Sequence, residues 1–244
     1  AAAMTFVSPV HAQSADQAAE ISAGEITRTV RTMTLDQFEG RAPGTAGEDR
    51  TIGYLIGRFE ALGLEPGGVD GNWTQPVPLL HTRLGKPDRL AFSMDGESTV
   101  LNAGKDIYVS TLQPNDRAVI ESAEMVFVGY GVTAPERGWD DFKGVDLKGK
   151  VAVFLVNDPD FAAASGEAVA GTFGGRAMTY YGRWTYKFEE ASRRGAAAAL
   201  IIHETEAAGY GWSVVESPQG ENYGIVKPAD QVTSLALQGW ISGG

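Results

Sequence analysis

Between Lys148 and Glu204 the chain reads KGKVAVFLVNDP (148–159), then, past a Gly-rich stretch, GRAMTYYGRWTYKFEEASRRGA (175–196) and AAALIIHE (197–204). Val151–Val156 is an unbroken apolar run, opened by Gly149-Lys150 and closed by Asp158-Pro159. Such a run fits a strand buried on both faces. Trp184, Phe188 and Ala191 are spaced to share one helical face, with Glu189–Arg193 and Glu190–Arg194 as i,i+4 pairs on the other. The acid stands N-terminal in both pairs, the better order. Gly195 falls where a helix needs a left-handed C′ residue, and Ala197–Ile202 supplies a second apolar strand. Strand, crossover helix and strand predict a right-handed parallel βαβ unit. The fold class expected is therefore α/β.

A chain of 244 residues, 43% hydrophobic and 21% charged, buries a core and is not of a disordered type. Its 31 Gly and 11 Pro favour a mixed or β-rich fold over a helical bundle. With 20 Lys+Arg against 31 Asp+Glu the net charge is −11, and no basic cluster interrupts it. That opposes binding to nucleic acid or to an anionic membrane surface. The absence of cysteine excludes thiolate zinc sites, disulfides and a cysteine nucleophile. No apolar run reaches the ~18 residues of a membrane span. Residues 1–13 read as the tail of a secretory signal, with Val10-His11-Ala12 as a small-residue cleavage site before Gln13. A merely Ala-rich end is the plainer alternative.

Residues 14–71 read as a helical segment and linker. Ser22/Glu25, Thr34/Gln37 and Thr45/Glu48 each have capping-box spacing. The last precedes an apolar stripe of Ile52, Leu55, Ile56, Phe59 and Leu62, ending at Gly63. Gly53 and Gly57 inside that helix suggest close packing against a neighbour. EPGGVDG (65–71) breaks the pattern, and short strands are then expected in WTQPVPLL, RLAFSM, TVLNA, DIYVSTL, AVIES and EMVFVGYGV between residues 73 and 132. The final strand candidate is Ser234–Ile241.

The candidate chemistry is sparse. His203-Glu204-Thr205-Glu206-Ala207 lacks the second histidine of a helical zinc motif, so His203 is read as ending a strand and bonding locally. Gly129-Tyr130-Gly131-Val132-Thr133-Ala134 matches a dinucleotide fingerprint in letters, but Pro135 and Gly138 deny it the helix it requires. Asp140, Asp141 and Asp146 lack the spacing of a calcium loop. The stretch Arg176–Tyr186 differs, because Arg176, Tyr180, Tyr181, Arg183 and Trp184 offer flat apolar faces and guanidinium forks suited to a carboxylate or a peptide. The alternative is a packed loop whose aromatics plug the core and whose arginines pair with nearby acids.

EGRAPGTAGE (39–48) and the helix ending FEALGLEPGG resemble the entry segment of the co-catalytic di-zinc aminopeptidases, clan MH metallopeptidases. GWDDFKGVDLKGKVAVFLVNDP (138–159), with the Gly175–Thr205 segment, is similar to the protease-associated (PA) domain inserted in a secreted subgroup of that family. The resemblance implies N-terminal helices at the edge of a peptidase domain (14–71), connecting strands (72–109) and a PA-type, sandwich-like α/β domain (110–244). It implies an exported, periplasmic or extracellular, zinc-dependent enzyme that removes N-terminal residues from peptide substrates. Its PA domain would serve as a lid or substrate-access module contacting peptide through the Arg176–Trp184 residues. The family's zinc ligands, a His-x-Asp, paired glutamates, a further acid and a His, have no counterpart here. The two zinc ions would thus belong to a C-terminal peptidase domain outside this sequence, leaving these residues inactive alone. Competing readings are a non-enzymatic PA binding module and a carbohydrate-binding sandwich.

Overall fold

Val151, Ala152, Val153 and Phe154 are all buried, because alternate side chains of their strand enter two different cores. The computed structural model describes residues 22–86, 89–228 and 231–243; the signal-like residues 1–13 lie outside them. The described chain forms two compact units that divide between Pro76 and Val77.

The first unit holds helices α1 (Ala23–Met33) and α2 (Ala46–Ala61), with a 3-10 turn at Asp36–Arg41 between them. Ser22 Oγ accepts from Glu25 N and Thr45 Oγ1 from Glu48 N, each at 3.4 Å, so two of the three expected caps form. The third does not: Leu35 caps the 3-10 turn without a side-chain bond, and the Thr34 hydroxyl donates to the Arg31 carbonyl instead. At the end of α2, Gly63 N donates to Glu60 O and Leu64 N to Phe59 O, the paired bonds of a Schellman stop. Arg58 reaches Glu25 at 3.1 Å across the two helices. A Cβ on Gly47 would stand 2.2 Å from the Phe38 carbonyl, so the 3-10 turn rests directly on the backbone of α2. Among the described residues nothing lies within 4 Å of where a Cβ on Gly53 or Gly57 would stand, so the close packing expected of them is not seen there. Ile26, Val30, Leu62 and Leu64 are exposed.

The second unit is α/β. Its strands are β1 (Leu79–Arg83), β2 (Ala91–Met94), β3 (Glu97–Val100), β4 (Ile107–Ser110), β5 (Met125–Phe127), β6 (Thr133–Ala134), β7 (Trp139–Asp140) and β8 (Val151–Leu155). Then come α3 (Trp184–Arg193), β9 (Ala198–His203), α4 (Thr205–Ala208), α5 (Trp212–Glu216), β10 (Glu221–Ile225) and β11 (Leu237–Ser242). Five strands make the main sheet in the order β4-β11-β9-β8-β5. β8 and β9 pair in parallel with Val151 opposite Ala198, the pairing the apolar runs predict. β5 and β11 extend the parallel set, and β4 closes one edge antiparallel.

One face of this sheet carries Ala152, Phe154, Ala199, Ile201 and Trp240 against Phe188 and Ala191 of α3, Ala207 and Ala208 of α4 and Val215 of α5. The other carries Ile107, Val109, Val151, Ala198 and Leu200 against partly buried Leu84, Leu101 and Ile120. Residues 118–122, expected as a strand, form none, yet Ile120 and Ala123 still plug the second core. Of WTQPVPLL only Leu79-Leu80 enter a strand, since Pro76 and Pro78 cannot donate to a ladder. Their partner β10, running Leu79↔Ile225 to Arg83↔Glu221, lies in a Gly-punctuated tail with no apolar alternation to announce it.

Two glycines separate packing from propensity. A Cβ on Gly239 of β11 would stand 2.0 Å from the Tyr108 carbonyl in β4, whereas one on Gly53 meets nothing. Gly239→Ala is expected to lower the unfolding free energy of its unit by about 1–3 kcal/mol through overpacking. Gly53→Ala should stabilise α2 by about 0.5–1 kcal/mol. Urea denaturation of the two variants beside the parent checks both signs.

Candidate substrate-contact loop

The chain leaves the carboxyl end of β8 at Asn157 and does not resume regular structure until α3 at Trp184. This excursion contains every site residue the sequence singled out. Asn157 turns it out of the sheet in the left-handed conformation, φ +79°. Its side-chain amide donates to the Ala207 carbonyl at 2.7 Å and its Oδ1 accepts from Asp158 N at 2.8 Å. An Asn tolerates this backbone because its short side chain bonds locally.

Three buried charges then fold the excursion back on itself. Asp158 accepts from Thr179 twice, from the amide at 2.6 Å and the hydroxyl at 2.7 Å. Asp160 Oδ2 accepts from Phe173 N at 2.9 Å and Gly175 N at 3.1 Å. Lys187 projects from the first turn and a half of α3 and is wholly buried. Its Nζ donates to the Asn157 carbonyl at 3.0 Å and the Tyr181 carbonyl at 2.7 Å, closing the two ends of the excursion. Asn157 N and Gly182 O add a backbone bond of 3.1 Å at the same point. Gly182 is required there, since a Cβ would stand 3.0 Å from both the Asn157 carbonyl carbon and the Asp158 carboxyl carbon. Burial pulls the Lys187 amine down to about 7, against the opposing pull of the Asp158 and Asp141 charges.

A layer of rings covers this anchor. Tyr181 and Tyr186 meet edge-on at 5.1 Å, Tyr180 and Tyr186 at 5.4 Å, and Phe173 and Tyr181 at 5.9 Å. The Arg137 guanidinium lies over Phe173 at 4.9 Å and donates to the Thr172 carbonyl at 2.8 Å. Asp141, whose carboxyl is pushed up by burial, accepts from Val132 N at 2.9 Å and the Trp139 indole at 2.8 Å. The acidic stretch is thus a tied turn beneath the rings. Gly131, from the rejected nucleotide pattern, makes room for Phe154: a Cβ would lie 2.3 Å from that ring.

The five sequence-selected residues occupy the outer surface and differ in what they have left to offer. Arg176 pairs with Glu206 and lies over Phe161 at 4.9 Å, both members of the ion pair being well exposed. The Tyr180 hydroxyl donates to Glu189 at 2.7 Å and the Tyr181 hydroxyl to Glu136 at 2.8 Å; these carboxylates push both phenols above their ordinary value. Arg183 is the N-cap residue of α3, exposed, and its guanidinium makes no hydrogen bond or ion pair among the described residues. Trp184 packs against Phe188 at 5.8 Å yet remains 45% exposed, so it lies at the margin of the helical face assigned to it. The buried arc of α3 is Tyr186, Lys187, Phe188, Glu190 and Ala191 instead. Glu190 holds both Arg193 and Arg194, at 2.6 and 2.7 Å. Met178 and Tyr180 are also exposed.

Asp158, Asp160 and Lys187 were missed by motif reading. The signal available was VNDPD directly after a buried strand, three polar side chains where the chain has not yet reached solvent. The histidines stand apart: His81 on β1 stacks on Tyr223 at 4.5 Å, while buried His203 at the end of β9 donates from Nε2 to the Tyr210 carbonyl at 3.0 Å, between the rings of Trp212 and Trp240. Among the described residues no three His, Asp or Glu side chains converge to hold a metal ion, so the donor set does not fit a zinc pair. No helix among them is long and apolar enough to cross a membrane.

No family model and no curated protein matches the chain. Among solved structures it is similar to an aminopeptidase from Aneurinibacillus sp. strain AM-1, with 18% identity, coverage of 91% of this chain and a TM-score of 0.37. The chain spans 38% of that protein's length.

The buried anchor and the exposed pair predict opposite mutational costs. Asp158→Ala leaves the Thr179 amide and hydroxyl without their acceptor and removes the charge facing Lys187, and should cost about 2–3 kcal/mol of unfolding free energy. Arg176→Ala breaks an exposed pair and should cost no more than about 1 kcal/mol. Chemical denaturation measures both, and equal losses would contradict this division.

Proposed function

We propose that these residues are part of an exported di-zinc aminopeptidase and that the Arg176–Tyr186 loop forms its PA-type domain's contact with peptide substrate. The sequence likeness at 39–48 and 138–205 supports the family. One structural observation supports the role of the loop: Arg183 and Trp184 are exposed and chemically unspent, on a segment whose underside is fastened by buried charges. A cation beside a flat ring suits a peptide carboxylate and the backbone or apolar side chain next to it. Holding such a surface rigid in advance avoids the ordering cost that a mobile loop incurs on binding.

In this reading residues 110–244 are the PA domain and 14–71 the edge of the peptidase domain. The two zinc ions this reading implies would be held by residues other than those described here, and would supply Lewis-acid activation of water in the intact enzyme. The residues described here bind and orient peptide and narrow access to chain ends. The signal-like sequence of residues 1–13 supports export.

The test is peptidase activity of the full-length protein with Arg183→Ala and Trp184→Ala. Each should lower kcat/KM by the worth of one charge-assisted or stacking contact, about 1–3 kcal/mol, with Tm nearly unchanged. Arg176→Ala should do less, since its guanidinium already has a partner. A fall in Tm with kcat/KM of the folded enzyme intact would make the loop scaffold. Calorimetric binding of oligosaccharides but not peptides to the 244-residue chain would favour the carbohydrate reading.

A further inference from the structure

Lys187 is the only lysine or arginine that is buried among the described residues, and everything it bonds belongs to the loop. Its two acceptors are the carbonyls at which the excursion leaves β8 and returns to α3. Between them, Asp158 and Asp160 hold the amides of Phe173, Gly175 and Thr179. Lifting this segment off the sheet end would free those three amides together and bring the Lys187 amine into water. The segment therefore has a seated arrangement with a dry amine and a lifted one with a hydrated amine.

We propose that Lys187 is a positioning residue for the Met178–Trp184 surface, which it seats by clasping the Asn157 and Tyr181 carbonyls, and that proton uptake by its amine favours the lifted arrangement. In the seated form the amine titrates at about 7, because burial disfavours its charge. Hydrated in the lifted form, it returns to the ordinary lysine value of about 10.4. Between those values the lifted form binds one more proton, so rising pH favours the seated form, approaching tenfold per unit. Below about pH 7 both forms are protonated and the ratio levels off. The groups facing Lys187 are Asp158 from the end of β8, Asp141 from the turn after β7, and the Tyr186 ring at 5.8 Å on its own helix. Tyr186, like Tyr130, Tyr180 and Tyr181 nearby, is pushed above its ordinary value near 10 and leaves the window to Lys187. The coupling stands on the anchor itself; only its consequence for substrate rests on the function proposed above.

The experiment is amide hydrogen exchange of the 244-residue chain, followed by NMR from pH 6 to 9 with rates normalised to the unstructured peptide. Protection of the Gly175 and Thr179 amides should rise about ninefold between pH 8 and pH 9. Amides of α2, in the other unit, serve as the internal control and should stay level. Lys187→Met should remove the rise. Asp158→Asn, which keeps an acceptor for Thr179 but withdraws the charge that supports the ammonium, should extend the rise below pH 7, and it decides the matter if Lys187→Met does not fold. Level protection in the parent chain, a rise that persists in Lys187→Met, or an unmoved onset in Asp158→Asn each overturns the proposal. Calorimetric titration with tetra-alanine at pH 8 reports separately on the ligand surface. No binding there with the exchange pattern intact would discard the substrate reading and leave the coupling standing.

Discussion

An amine in a dry interior has to be answered by acceptors, and at Lys187 that requirement organises the second unit. Its amine donates to the Asn157 and Tyr181 carbonyls, and the nearby charge of Asp158 offsets part of the desolvation of its protonated form. The consequence is geometric. Asn157 must turn its carbonyl inward, which it does at φ +79°, and Gly182 must pass close enough that no side chain fits. The βαβ unit is thereby joined at the one place where its crossover is irregular.

A long crossover without regular structure carries many backbone amides that no ladder satisfies. Here two carboxylates do that work from beneath. Asp158 and Asp160 act as fixed acceptors for Thr179, Phe173 and Gly175, while aromatic rings exclude water from above. Polar anchoring and outward display are assigned to different residues, so changing Arg183 or Trp184 need not disturb Asp158, Asp160 or Lys187. That separation is what a surface needs if it is to vary while its support does not.

The parts most legible in the sequence were those governed by local rules. The apolar runs at 151–156 and 197–202 predicted a parallel pair buried on both faces, which is what forms. The spacing of α3 and its glycine stop reappear as a Schellman motif, with Gly195 N donating to Ser192 O and Ala196 N to Ala191 O. His203 bonds locally at a strand end, as read. Where the reading failed, the deciding partner was far away in sequence. β10 has no alternation because it pairs with β1, more than a hundred residues earlier, through its backbone. Residues 118–122 look like a strand but pair with none, and Ile120 keeps only its hydrophobic role. Gly53 and Gly57 suggested close packing, yet no described residue lies beside them.

The sequence by itself determined the α/β class, the parallel pairing of the strands at 151–156 and 197–202, the helix caps at Ser22 and Thr45, and the aromatic and basic composition of the loop. Each follows from periodicity or from bonds within a few residues, which a linear reading can see. Only the tertiary structure decided which of those surface groups are spent. Arg176 finds Glu206, Tyr180 finds Glu189 and Tyr181 finds Glu136, leaving Arg183 and Trp184. It also turned Asp158, Asp160 and Lys187 from ordinary letters into a buried anchor. The physical reason is that the cost of a charge depends on the medium around it. That medium is built by residues from β8, α3 and the turn after β7, which meet only when the sheet has formed.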